Sequence, residues 1–121
     1  MFWEVEYTDE FEEWWNGLDA EEQVSVAAVV EVLAELGPAL QFPYSSDVKS
    51  SRHGNMRELR VQHRGRPYRV LYAFDPCRVA LLSLGGAKTG GARWYETMVP
   101  EADRLFDRHL ARLEREDDRN A

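Results

Sequence analysis

Between Met56 and Tyr95 the chain carries Arg57, Arg60, Arg64, Arg66, Arg69, Lys88 and Arg93, threaded through short runs of apolar alternation and followed by Tyr95. A guanidinium is planar, permanently charged and shaped to meet two phosphate oxygens at once, so arginines gathered on one surface are suited to binding and stabilising phosphoryl groups. The wider charge pattern points the same way. Residues 1–48 contain twelve Asp and Glu and no Lys or Arg; residues 49–95 contain ten basic residues and two acidic ones; residues 96–121 contain eight acidic and five basic. A net charge of −7 therefore hides one strongly basic segment, whose local field attracts polyanions whatever the total. The plainer alternative is that acidic helices pack on basic strands and each neutralises the other.

The elements that must position these groups are legible from periodicity. Trp3, Val5 and Tyr7 alternate with Glu4 and Glu6, as in a strand with one buried face. Asp9 with Glu12, and then Asp19 with Glu22, have capping-box spacing, predicting a helical hairpin that stops at Gly17 and at Gly37-Pro38. The stretch from Pro38 to Asn55 reads as a loop. A three-stranded meander follows: Leu59 to His63, Tyr68 to Phe74 and Val79 to Leu84, joined at Arg64–Pro67 and Asp75–Arg78. Beyond the KTGGAR loop, Trp94 to Val99 reads as a short turn of helix, and Pro100 at a first helical position opens a last helix with Ala102, Leu105, Phe106, His109, Leu110 and Leu113 on one face, while the tail from Glu114 is expected to fray. The expectation is one α+β domain over residues 1–121: a small antiparallel sheet made of the N-terminal strand plus the meander, with an N-terminal helical hairpin and a C-terminal helix.

Strand parity refines this. With four residues in each hairpin turn, His63 pairs with Tyr68, Gln62 with Arg69 and Phe74 with Val79. Arg60 and Arg69 are then diagonal neighbours on one face, and Arg69 sits beside Leu84, near where the chain departs toward Lys88, Arg93 and Tyr95. Leu59, Val61, Val70, Tyr72 and Phe74 take the other face. Leu71, Ala73, Leu82 and Leu84 fall on the arginine side, so the last helix must cover part of it.

Composition sets outer bounds. An apolar fraction of 44% in 121 residues is enough to bury a core. The single cysteine, Cys77, allows no internal disulfide, and a metal site would need other ligands; neither metal nor cofactor is expected. MFWEVEY is acidic where a secretory leader is basic, and no apolar run approaches a membrane span, so a cytoplasmic location away from membranes is expected.

At ELR, PYRVLY and LLSLGGAKTGGARWYE the chain resembles the RelE/ParE superfamily of bacterial toxins, nearest its HigB-like branch. The resemblance covers nearly the whole length, and its most specific parts are the Tyr-Arg-aliphatic-aliphatic-Tyr strand and the Gly-x-Lys-Thr after the last strand. It implies a compact α+β fold, ribosome-dependent cleavage of messenger RNA, and inhibition by a cognate helix-turn-helix antitoxin of the HigA type. By the same resemblance Arg69, Arg60, Lys88 and Tyr95 match catalytic positions, and Arg93 matches a basic position of the same loop. Arg57, Arg64 and Arg66 are expected to help hold RNA.

Such residues support RNA cleavage without a metal. The substrate's 2′-hydroxyl attacks the adjacent phosphate; Arg69 with Arg60 stabilises the phosphoryl oxygens, and Lys88 or Arg93 serves the leaving oxygen. Tyr95 acts as base if nearby cations lower its pKa, or else stacks on a splayed base. His63 ends a strand and His109 lies in the apolar stripe, which leaves the general base unassigned. Two other readings remain open: gyrase inhibition without cleavage, as in ParE-type relatives, and an inactive homologue that only binds its antitoxin or nucleic acid.

Overall fold

The computed structural model describes residues 2–120. A five-stranded sheet runs in the order β1 (Val5–Tyr7), β5 (Ala80–Ala87), β4 (Arg66–Phe74), β3 (Arg57–His63), β2 (Ser45–Asp47). Helices α1 (Asp9–Asn16) and α2 (Ala20–Leu36) cover one face and α3 (Ala92–Asn120) covers the other. The α+β class and the order of elements are as expected, but the sheet is mixed: β1 runs parallel to β5, with Val5 beside Ala80 and Tyr7 beside Leu82. That pairing follows from the α1–α2 crossover, which local alternation does not report. The stretch expected to be a loop contributes β2 as an extra edge strand, antiparallel to β3.

Local chemistry explains the boundaries. Thr8, one residue before the predicted cap, starts α1 by accepting from the Phe11 N–H at 2.9 Å, while Asp9, Glu10 and Glu12 place negative charge at the positive end of the helix dipole. Asp19 and Glu22 form the predicted reciprocal capping box on α2. At the other end of α2, Gly37 adopts φ +57°, and the Trp3 indole packs where its side chain would be. Helix α3 begins at Ala92 and runs on through Pro100 and the charged tail, longer at both ends than expected.

The β3–β4 turn has two residues, not four. Arg64 and Gly65 both have positive φ, 51° and 78°, the geometry of a type I′ hairpin whose twist matches that of the strands. His63 therefore pairs with Arg66, and Arg60 stands directly opposite Arg69. Between β4 and β5 a register shift after Leu71 pairs Leu71 with Leu84 but Tyr72 with Leu82, leaving Ser83 as a bulge. The bulge moves Leu82 onto the α1–α2 side and puts Leu81 under α3, reversing the predicted placement of Leu82.

The two cores follow from this register. Leu59, Val61, Val70, Tyr72 and Phe74 face α1 and α2 as predicted, together with Phe11, Val26, Leu33 and Leu82. Leu71, Ala73 and Leu81 meet Trp94, Val99, Ala102 and Phe106 of α3. Each buried aliphatic or aromatic side chain contributes about 1.5–3 kcal/mol. His109 is buried in this layer, its Nε2–H donating at 2.7 Å to one oxygen of Asp75, whose other oxygen accepts from the Cys77 and Val79 amides and fixes the β4–β5 turn.

Candidate active site

Register builds the site. On the α3 face of the sheet Arg60 of β3 is paired with Arg69 of β4, which is paired with Gly86 of β5; one step further along, the Lys88 N–H donates to the Pro67 carbonyl at 2.8 Å. Positions 84, 86 and 88 alternate onto this face, so Lys88 lies on the same side as the two arginines. Glycine at 86 matters: a Cβ there would stand 3.3 Å from the Trp94 indole, so the missing side chain lets the first turn of α3 close down on the sheet. That closure carries Tyr95 over the row.

At its centre is a residue that the sequence reading did not single out. Glu58, two residues before Arg60 and on the same face, is 5% exposed. It accepts from the Tyr95 hydroxyl at 2.6 Å and from Ser46 Oγ at 2.8 Å. Arg69 Nε stands 3.4 Å from one of its oxygens and an Arg60 terminal nitrogen 3.8 Å from the other. One carboxylate is thus shared by two guanidiniums. Arg69 is 4% exposed; one terminal nitrogen donates to the Tyr68 carbonyl at 3.0 Å, and its Nε–H has no partner in hydrogen-bonding geometry. A signal was present in the sequence: Glu58 and Asp75 are the two acids within the basic segment, and both are buried.

The surroundings fix the state of Tyr95. Burial first, and the hydrogen bond to Glu58 second, push its pKa above the ordinary tyrosine value, while Arg69 pulls weakly the other way. The cation-lowered phenol considered above is therefore replaced by a protonated hydroxyl that donates to a carboxylate. Its ring is occupied too, with Lys88 Nζ 5.1 Å from its centroid and Trp94 edge-on at 5.2 Å. Glu58 and Tyr95 open onto a cleft of about 620 Å³ that Lys49 and Glu96 also line. Arg60, Arg69 and Lys88 flank this cleft rather than line it.

Four of the eight sequence-selected residues, Arg60, Arg69, Lys88 and Tyr95, come together here. The other four do not join them. Arg57 points to the opposite face, where its guanidinium is held by Ser45, Asp47, Tyr72 and the Leu40 carbonyl. Arg64 occupies the hairpin turn and pairs with Glu21 of α2. Arg66 lies over the Tyr68 ring at 5.7 Å on the α2 side, and Arg93 is exposed in the first turn of α3. Among the described residues no group of His, Cys, Asp and Glu is arranged to hold a metal ion, and no helix is long and apolar enough to cross a membrane.

Comparison with known proteins agrees with this architecture. Residues 13–107 match the model of a family described as phage derived protein Gp49-like (DUF891). HigB2 of Mycobacterium tuberculosis, named as a toxin, is 47% identical over 103 residues; the match covers 84% of this chain and 51% of HigB2, so the chain spans about half the length of that relative. HigB3 of the same organism, also named as a toxin, is 40% identical over 101 residues, covering 83% of this chain and 87% of HigB3. The fold is shared with the isolated Escherichia coli RelE toxin, at 11% identity and a TM-score of 0.56, covering 79% of this chain and 95% of RelE. It is shared as well with the archaeal RelE–RelB complex from Pyrococcus horikoshii, at 16% identity and a TM-score of 0.53, covering 72% and 96%. The family match and the HigB relatives lead to one assignment: the chain belongs to the Gp49-like family, is a relative of the HigB proteins, and has the fold of RelE.

Proposed function

We propose that the protein is the toxin of a type II toxin–antitoxin pair and stops translation by cutting messenger RNA held on the ribosome. The observation that carries this reading is the directly opposed Arg60–Arg69 pair, sharing a single carboxylate and leaving a buried Arg69 Nε–H unpartnered. An unsatisfied buried donor costs about 1–3 kcal/mol, and a phosphoryl oxygen is the acceptor that removes this cost. The names of the HigB relatives support the toxin assignment.

In the proposed reaction the 2′-oxygen of one nucleotide bonds to the adjacent phosphorus and the 5′-oxygen of the next nucleotide leaves. The 2′-hydroxyl proton passes to the Tyr95 oxygen as Tyr95 gives its own to Glu58, and the Lys88 ammonium protonates the departing oxygen. Arg69 and Arg60 balance the added charge on the phosphoryl oxygens. The products are a 2′,3′-cyclic phosphate and a 5′-hydroxyl. Free RNA is a poor substrate in this account, because the ribosome supplies the orientation, and that target places the activity in the cytoplasm. The partner is a small helix-turn-helix antitoxin of the HigA type that covers part of the basic face around Lys88 and Arg93.

Induced expression in a bacterium, followed by mapping of messenger ends and by a plasmid supercoiling assay, tests the proposal. Discrete breaks within codons support it. Growth arrest with intact messengers and altered supercoiling overturns it in favour of gyrase inhibition, and unimpaired growth overturns it in favour of a homologue that only binds its partner.

A further inference from the structure

Beside Arg60 the segment preceding β2 exposes two aromatic rings, Phe42 at 69% and Tyr44 at 46%. Burying such rings is ordinarily favourable, so two exposed rings within three residues of each other call for an explanation. Both are tied to the site. The Arg60 guanidinium lies 5.0 Å from the Phe42 ring centroid, and the Arg60 N–H donates to the Tyr44 carbonyl at 2.8 Å. That bond continues the β2–β3 register by one residue, setting Tyr44 opposite Arg60. Ser46, two residues on, reaches Glu58 through its hydroxyl, so the segment that carries both rings leads directly into the edge of the site. Among the described residues β2 is the sheet edge, and no further strand pairs beyond it.

We propose that Phe42 and Tyr44 are a stacking platform for an unpaired base of the RNA, next to the nucleotide whose phosphate meets Arg60. Exposed aromatic faces beside an arginine are what single-stranded RNA recognition uses: bases stack on rings while the cation holds the backbone. A paired base has no free face to offer, so the platform selects single strands. It also gives the protein a way to prefer some sequence contexts over others, away from the reacting atoms. This inference rests on the ribonuclease reading.

The test uses the full chain and the Phe42→Ala/Tyr44→Ala double variant, with Phe42→Trp/Tyr44→Phe as the aromatic-conserving control. Affinity for a labelled, fully 2′-O-methylated single-stranded oligoribonucleotide is compared with affinity for its duplex, and break positions are mapped on translating ribosomes. The expected result is about a tenfold or greater loss of single-strand affinity in the alanine variant, unchanged duplex affinity, altered break positions, and recovery in the control. A parent that does not distinguish the single strand from the duplex, or an alanine variant matching the parent in affinity and break positions, overturns the platform. So does a variant that loses only antitoxin binding, which would make the rings a protein-docking surface. A parent that binds single strands through these rings yet leaves ribosomal messengers intact defeats the ribonuclease reading alone.

Discussion

Arg60 and Arg69 face each other across the β3–β4 pair, and Glu58 stands between them, 3.8 Å from one guanidinium and 3.4 Å from the other. Two buried or half-buried cations on one carboxylate leave the site net positive before Lys88 is added, which is a resting state prepared for an anion.

Arg69→Ala removes the guanidinium that stands nearer to Glu58, leaving Arg60 at 3.8 Å, and is expected to cost on the order of 3 kcal/mol, because the buried carboxylate loses its closer cation. Adding Glu58→Gln should recover part of that loss, a non-additivity that urea unfolding of the single and double variants measures. Neither variant should arrest growth. A double variant that is both stable and toxic would remove Arg69 from the mechanism.

Tyr95→Phe is expected to reduce cleavage by about a hundredfold or more while costing only about 1 kcal/mol of stability. The raised pKa of Tyr95 means that its contribution to stability is present below the ordinary tyrosine value of about 10 and is lost as pH rises through the higher folded value. Ultraviolet absorbance titration of the parent against Tyr95→Phe should show this phenol ionising later than free tyrosine; ionisation at neutral pH would contradict the relay, in which Tyr95 starts protonated and hands its proton to Glu58.

Gly85 faces the other core, where a Cβ would fall 2.2 Å from the Trp14 ring. Gly85→Ala should therefore destabilise by about 1–3 kcal/mol through overpacking, read from denaturant midpoints. Gly86→Ala, which meets Trp94 at 3.3 Å, should cost less stability but shift Tyr95 and lower cleavage. The reverse ranking would contradict the packing described.

Arg108 of α3 grips Glu10 of α1 with two hydrogen bonds, at 2.9 and 3.1 Å, and those bonds hold the Glu10 carboxyl below its usual pKa. A depressed folded pKa gives stability that is present above the ordinary value and fades as pH falls through the folded one. Glu10→Gln should cost about 0.5 kcal/mol at neutral pH, with the gap closing below about pH 4. Thermal melts at both pH values check this, and an equal gap at each would assign the effect to packing.

Much of this was readable from side-chain types. Alternation placed Leu59, Val61, Val70, Tyr72 and Phe74 on one face and Arg60 with Arg69 on the other, because a period of two survives any even change of register. What escaped were features decided by backbone conformation or by distant partners. Arginine at 64 gives little warning of a positive φ, so the short turn that sets Arg60 opposite Arg69 was missed. The bulge at Ser83 has no local signature, and Leu82 was misplaced for that reason. The parallel β1–β5 pair and the edge strand β2 depend on tertiary pairing, and Pro100 reads as a helix start though α3 passes through it. Glu58 stands out in the sequence only as one of two acids amid ten bases, and no local spacing reports that Ser46 and Tyr95 converge on it.

The central claim is that Arg69, seated against Arg60 and Glu58, stabilises a phosphoryl group during transesterification. The most direct measurement incubates purified parent and the Arg69→Ala/Glu58→Gln double variant with translating ribosomes and determines the chemistry of every new messenger end. The account predicts breaks ending in 2′,3′-cyclic phosphate and 5′-hydroxyl with the parent and none with the variant. Breaks of equal number in both, or 5′-phosphate ends with the parent, would contradict it.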